Sequence, residues 1–260
     1  MKIFALDENL REQLINEKKD FTEITTTSSK TIIYKDLEVF ISPSYIPKKY
    51  MYLFKQIRND IKKNREAFQD FEEGLTVKDV KYFARKKAKL HEDIKNAVEF
   101  DLNKAYYVEA HNRGFVSDKY FQKALDAPKK LRLVLLGSIA SLKITTHYKG
   151  GEIFEIEPPA TDQFLRDVWF SICKGVGDKM YNFVKNDFLR ERFLFMWVDA
   201  LFFRYENEAE KLLIEEILIN EAQKVGHSFK RVDIDYIEER GNYFNVYETG
   251  RETSKLFCVY

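Results

Sequence analysis

The stretch Phe193-Leu194-Phe195-Met196-Trp197-Val198-Asp199-Ala200-Leu201-Phe202-Phe203 constrains the fold of this chain more than any other segment. Its apolar side chains must be covered, since each large one taken out of water contributes about 1.5–3 kcal/mol. The aromatic content predicts one long strand or a pair of strands within a core. A single acid interrupts the run. Burying Asp199 is costly unless a cation or hydrogen-bond donors satisfy it, so it either serves a bound cation or faces solvent at a turn or strand end.

The chain has 260 residues, 22 of them Phe and 15 Tyr, enough for an aromatic core in one large domain or two small ones. We expect one compact body with a loosely attached N-terminus. Lys and Arg number 43 against 42 Asp and Glu, so there is no global field to draw in nucleic acid or an anionic membrane, and any such binding must come from local clusters. No uninterrupted apolar run approaches the roughly 20 residues of a membrane span, and Met1 to Glu8 lacks the apolar stretch of a signal peptide. Cys173 and Cys258 lie in apolar stretches, which suits buried thiols in a reducing compartment. A cytoplasmic protein without a membrane span is expected.

Along the chain, residues 1 to 30, with Thr25-Thr26-Thr27-Ser28-Ser29, predict a loop or loose arm. Thr31 to Tyr34 and Leu37 to Ile41 flank Lys35-Asp36 as a hairpin. Lys48 to Ala67 and Val77 to Ala97 carry apolar residues at helical spacing, separated by Gly74. The second of these predicted helices is basic. Its Lys81, Arg85, Lys86 and Lys89 could track a phosphate backbone, although lysines on a helix are more often simply solvated.

Ala97 to Leu102 reads as a strand with an acid near its end, Asp101, and is followed by a helix over Ala105 to Arg113. Leu131 to Ser141 predicts a buried helix, and Ile144 to Ile156 a hairpin turning at Gly150-Gly151. A long helix over Phe164 to Val184, capped by Thr161 or Asp162, precedes the aromatic run. Another helix, Glu206 to Gln223, follows it, and then three short strands within Phe229 to Val259. No internal repeat is present.

Strand with acid, helix, buried helix, long helix, aromatic strand with acid, helix and terminal strands is an order that resembles the palm and fingers of family B DNA polymerases. Asp101-Leu102-Asn103-Lys104-Ala105-Tyr106-Tyr107 is similar to the family's first motif, D-x-x-S-L-Y-P, with Lys104, Ala105 and Tyr107 replacing serine, leucine and proline. Leu133 to Ser141 resembles the second motif, K-x-x-x-N-S-x-Y-G, of which Ser138 remains. The lysine that holds the triphosphate falls on Leu133. Arg132 is adjacent, but a shift of one residue turns a helical side chain by about 100°. Trp197-Val198-Asp199-Ala200 resembles the third motif, D-T-D-S, and keeps only its second aspartate.

The resemblance covers about Val98 to Val259. It implies an α+β fold, an antiparallel palm-like sheet with helices packed on one face, joined to a small N-terminal hairpin and basic helices. The domains would be residues 1–95 and a palm at 96–260 with a fingers-like insertion at about 114–190. Asp101 and Asp199 would be the catalytic, metal-holding pair, with Mg²⁺ or Mn²⁺ as the ion. Tyr106 would pack under the incoming sugar, Ser138 and Arg132 would lie near the nucleotide, and Lys230 and Lys255 near the primer end. The implied partners are single-stranded or primed DNA and a nucleoside triphosphate. The protein would then be a reduced polymerase-like nucleotidyltransferase of a kind suited to a phage or mobile element; the alternative is a catalytically inactive palm that binds nucleic acid or assembles with other proteins.

Other signals are weaker. His91, His111, His147 and His227 show no short metal-ligand spacing. Gly175-Val176-Gly177 falls inside a predicted helix, where close packing explains it better than a phosphate loop.

Overall fold

The computed structural model describes residues 2–5, 9–26, 29–41, 48–85, 93–240 and 243–258. In chain order these form β1 (Lys2–Ala5), α1 (Asn9–Asn16), β2 (Phe21–Thr25), β3 (Lys30–Tyr34), β4 (Leu37–Ile41), α2 (Lys48–Lys63), β5 (Phe83–Arg85), β6 (Ala97–Leu102), α3 (Ala105–Asn112), α4 (Asp118–Leu125) and α5 (Lys129–Gly137). Then follow β7 (Ile144–Lys149), β8 (Glu152–Ile156), α6 (Gln163–Phe183), α7 (Asp187–Arg192), β9 (Phe193–Trp197), β10 (Ala200–Arg204), α8 (Glu208–Lys224), β11 (Phe229–Arg240), β12 (Tyr243–Glu248) and β13 (Lys255–Cys258). The fold is α+β with antiparallel sheets, as the sequence predicts. No helix among the described residues is long and apolar enough to cross a membrane.

The chain divides into two compact units, Met1–Glu73 with Arg113–Trp169, and Gly74–Asn112 with Phe170–Tyr260. This division differs from the one read from the sequence. Residues 74–95 group with the C-terminal part, and the segment grouped with the N-terminal part is 113–169.

The first unit holds a six-stranded sheet of order β1-β4-β3-β2-β7-β8, antiparallel except for the β1–β4 pair. Phe21, Ile32, Val39, Ile41 and Tyr148 of this sheet bury against Leu14 of α1. Phe21 stacks on Tyr148 with ring centroids 4.1 Å apart. The expected hairpins at 31–41 and 144–156 are β3–β4 and β7–β8. The loose arm expected for residues 1 to 30 is not what forms: β1, α1 and β2 belong to the unit. Threonine is a β-branched residue that suits a half-buried pleated surface, and Phe21-Thr22-Glu23-Ile24-Thr25 uses it so. The buried Glu23 in this strand is matched by Arg11 at 2.7 Å.

The second unit carries the seven-stranded sheet β13-β12-β11-β6-β10-β9-β5. Pleating gives its strands two faces. Val98, Phe100 and Leu102 of β6, with Met196, Leu201 and Phe203, pack on Val176, Met180 and Phe183 of α6 and on Ile214, Leu218 and Ala222 of α8. The opposite face gathers Phe195, Phe202, Ile237, Phe244 and Phe257. Phe195 stacks on Phe244 at 4.5 Å although their strands, β9 and β12, are not neighbours, and Arg85 of β5 reaches Glu239 of β11 at 2.9 Å. Such contacts require a strongly curled sheet, an exaggeration of the ordinary strand twist. Helices therefore cover one face, and the other closes on itself through aromatic rings.

Among the described residues of Val77 to Ala97, where a basic helix is expected, the chain is not α-helical; residues 86–92 lie outside the described residues. Thr76 caps a single 3-10 turn at Val77–Asp79, the chain then enters β5, and β6 begins at Ala97. Pairing of Phe83 with Trp197 and of Arg85 with Phe195 gives this segment edge-strand hydrogen bonds that outweigh a weak helical pattern. Gly177 of α6 lies where an added Cβ would be 2.7 Å from the Lys81 carbonyl oxygen, so close packing accounts for this glycine.

Candidate functional site

Within the second unit, β6, α6, β9, β10, α8 and β11 run as strand, helix, strand, strand, helix, strand, and the four strands lie in the order β11-β6-β10-β9. This is the split βαβ arrangement, in which the first strand is central and the hairpin of the second and third lies beside it. The aromatic run that dominates the sequence is that hairpin. Asp199 sits with Val198 in its two-residue turn, and Asp101 is the next-to-last residue of β6.

The register brings the two acids to the same end of the sheet. Asp101 is the cross-strand partner of Ala200, and the Leu102 amide donates to the Asp199 carbonyl oxygen at 2.8 Å. Antiparallel partners lie about 5 Å apart at Cα, so Asp199, one residue before that partner, is an immediate neighbour of Asp101. Both side chains are half-buried. Asp101 alternates with Phe100 and Leu102 and so faces away from the helices, as does Glu99; Asp199 belongs to a turn, and the pleat does not fix its direction.

The turns around the acids are strained. Val198 adopts φ 55°, and Lys104, between β6 and α3, adopts φ 52°. A left-handed conformation costs an L-residue about 1–2 kcal/mol and is most unfavourable for a β-branched one. Strain of this kind gathers at functional sites, where the surroundings hold it in place. Here the Val198 amide donates to the Tyr82 carbonyl at 2.6 Å. Val198→Gly is expected to stabilise the protein by about 0.5–1 kcal/mol, the relieved strain less the extra entropy of glycine in the unfolded chain. A urea midpoint that falls instead would show that the turn is unstrained.

Tyr106, in the first turn of α3, is half-buried against the helix-side core. Burial raises its phenol most, with further contributions from the nearby Asp199, Cys173 and Tyr82. Its ring thus lies within the electrostatic reach of one acid of the pair. Cys173 is buried and free, and burial pushes its thiol up to about 12 despite a hydrogen bond with Tyr82.

The remaining residues singled out from the sequence are more scattered. Lys230 is exposed and is the partner of Asp101 on its other side, across β11. Lys255 lies 3.4 Å from Glu99 and also pairs with Glu248. Lys81 pairs with Asp178 at 2.6 Å and Arg85 with Glu239, so both cations already have carboxylate partners. Lys86 and Lys89 lie outside the described residues. Arg132 and Ser138 belong to the first unit, where Arg132 donates to the Leu125 carbonyl and the Ser138 hydroxyl to the Leu135 carbonyl, each at 2.9 Å.

Two clusters escaped the sequence reading. On the face shared with Asp101, burial raises the Glu99 carboxyl; Lys255 lowers it, while Glu248 and Asp101 raise it further. A carboxyl raised in the folded state contributes stability that is fully present below its unfolded pKa of about 4.3 and lost as pH rises through the folded value. Glu99→Gln removes this titration, so the stability of the wild type relative to the variant should fall between about pH 4 and about pH 7. Urea unfolding at both pH values checks it; an unchanged difference would contradict the raised carboxyl. The spacing of Glu99 from Asp101 was the available signal, since alternate residues of a strand share a face.

The second cluster is Glu109 of α3, Lys179 of α6 and His227. Lys179 donates to the Glu109 carboxylate, whose Oε2 is 3.1 Å from His227 Nε2, and the side chains of Glu109 and His227 have no exposed surface. No spacing in the sequence connects these three.

Among the described residues there is no group of three or more His, Cys, Asp or Glu side chains placed to hold a metal ion. Mg²⁺ and Mn²⁺ are commonly held by one or two carboxylates, with water and substrate phosphates as the other ligands; Asp101 and Asp199, whose backbones are immediate neighbours, would serve such an ion where their side chains converge. In comparisons with known proteins, no family model, curated protein or solved structure matches the chain.

Proposed function

We propose that this chain is a reduced, palm-type nucleotidyltransferase that acts on DNA and is related in layout to the family B polymerases. The observation that carries the proposal is the placement of Asp101 at the end of the central strand of a split βαβ sheet and of Asp199 in the adjoining hairpin turn. A divalent ion shared by these carboxylates would supply the Lewis acid for phosphoryl transfer. Tyr106, half-buried near Asp199, would pack against the nucleotide sugar, and the exposed Lys230 beside Asp101 would meet the DNA backbone. The buried free Cys173 suits a reducing cytoplasm.

A catalytically inactive palm that binds nucleic acid or assembles with other proteins is the second reading. It is favoured by the loss of one acid of the third motif, whose place Trp197 occupies, and by the apolar Leu133 where the family holds triphosphate with lysine. Primer extension with Mg²⁺ or Mn²⁺, run beside gel shifts at two salt concentrations, separates the readings. Extension by the wild type that is lost in both Asp101→Asn and Asp199→Asn supports the enzyme. Salt-sensitive binding without extension supports the inactive module, and neither activity would remove both.

A further inference from the structure

We propose that the outward face of α2 binds the phosphate backbone of a single-stranded nucleic acid, with Tyr52 as the ring on which a base stacks. This surface belongs to the first unit; the inference shares no residue with the palm reading and does not depend on it. α2 holds six basic residues, Lys48, Lys49, Lys55, Arg58, Lys62 and Lys63, and one acid, in a chain whose charges balance at 43 against 42. At about 100° per residue, Tyr52, Lys55, Asn59, Lys62 and Lys63 fall within one arc of roughly 100°. All five are exposed. Leu53, Ile57 and Ile61 fall on the other side and are buried. The single acid, Asp60, is buried as well and accepts from the Ser117 amide at 2.8 Å and from its hydroxyl, so it does not neutralise the outward face.

Ordinary solvation does not account for this face. Exposed helices usually intersperse both signs, as α6 does with Lys174 and Asp178 and α8 with Glu221 and Lys224. On α2, Lys62 meets Asp162 at 2.5 Å, and Lys55 and Lys63 have no carboxylate partner among the described residues. The helix dipole favours cations in the last turn, which suits Lys62 and Lys63, but it disfavours the two lysines that open α2, whose first turn has no acid. A covering anion offsets that cost. The anion is a strand of nucleic acid rather than a lipid surface, because a helix lying in a membrane interface inserts an apolar face, and that of α2 is already packed within the unit. Tyr52, 64% exposed beside the lysines, offers a ring to a base, which a single strand presents and an acidic peptide lacks.

The test uses the full chain and a fluorescein-labelled single strand of about 20 nucleotides, titrated at several salt concentrations. The variant K55Q/K63Q should bind about tenfold more weakly, and its log–log salt slope should be shallower by about 1.4, the share of two phosphates at about 0.7 each. K55R/K63R should keep both the affinity and the slope. Y52A should lose about fivefold or more in affinity with its slope unchanged. Because these side chains are exposed, the urea midpoints should not move. The same losses should appear in a K230Q background, which separates this surface from that of the palm reading. No binding of the strand by the wild type, or an affinity and slope that K55Q/K63Q leaves unchanged, would overturn the proposal. So would polyglutamate bound as tightly as the strand, or tighter binding to phosphatidylserine vesicles than to the strand.

Discussion

Replacing Glu109 by alanine is expected to destabilise the protein by about 3 kcal/mol, the lower end of what removing one partner of a buried ion pair costs. The side chain of Glu109 is fully buried, that of His227 likewise, and that of Lys179 is 23% exposed. Deleting the carboxylate leaves an ammonium with little solvent and an imidazole N–H without its acceptor. Lysine can shift its head toward water, which places the effect at the low end. Lys179→Met alone should cost less, because it leaves Glu109 the His227 contact. The double variant Glu109→Ala/Lys179→Met should be less destabilised than the sum of the two, since the contact has been removed from both sides. Unfolding in urea measures all three. A loss below about 1 kcal/mol for Glu109→Ala would mean that the pair is replaceable by solvent.

This cluster matters beyond stability. Glu109 lies on the helix that begins just after Asp101 and carries Tyr106; Lys179 lies on the helix that carries Cys173; and His227 leads into the strand that bears Lys230. One buried carboxylate therefore ties together three segments that present residues to the candidate site. Loosening it should blur the position of Tyr106 without touching either aspartate.

The aromatic run as one strand or a pair, with Asp199 inside it, and the strand of Asp101 were legible because dense apolar and aromatic runs are local signals; these strands are buried on both faces. The turn itself was less so. Val198 is a residue that a two-residue hairpin turn does not favour, and nothing in the sequence marks its positive φ. Residues 1 to 30 misled because a cluster of threonines reads as loop when it stands alone and as sheet when neighbouring strands are present. β5 was hidden for the same reason: Phe83 and Arg85 become a strand only through the edge of β9. The trio of Glu109, Lys179 and His227 draws on three distant points of the chain, and single-residue patterns carry no information about such convergence.

On the palm reading, Asp101→Asn and Asp199→Asn each lower metal-dependent nucleotide incorporation by about 10³-fold or more, since several kcal/mol of charge stabilisation at the reacting phosphate would be lost. Asparagine keeps the shape of aspartate and removes its charge, so neither change should unfold a sheet whose core lies on other residues. The same reading predicts DNA binding through Lys230 and other cations that both variants retain and that weakens with salt in wild type and variants alike. On that reading the apolar Leu133, at the position that resembles the family's triphosphate lysine, makes a slow wild-type rate the expected result.

The most direct measurement is single-turnover incorporation of a nucleotide onto a primed DNA template, with Mg²⁺ and then Mn²⁺, by the wild type and by the two aspartate variants. The palm reading predicts product from the wild type with at least one of the ions and none above background from either variant. Product formed equally by wild type and variants, or none from the wild type with either ion, would contradict it.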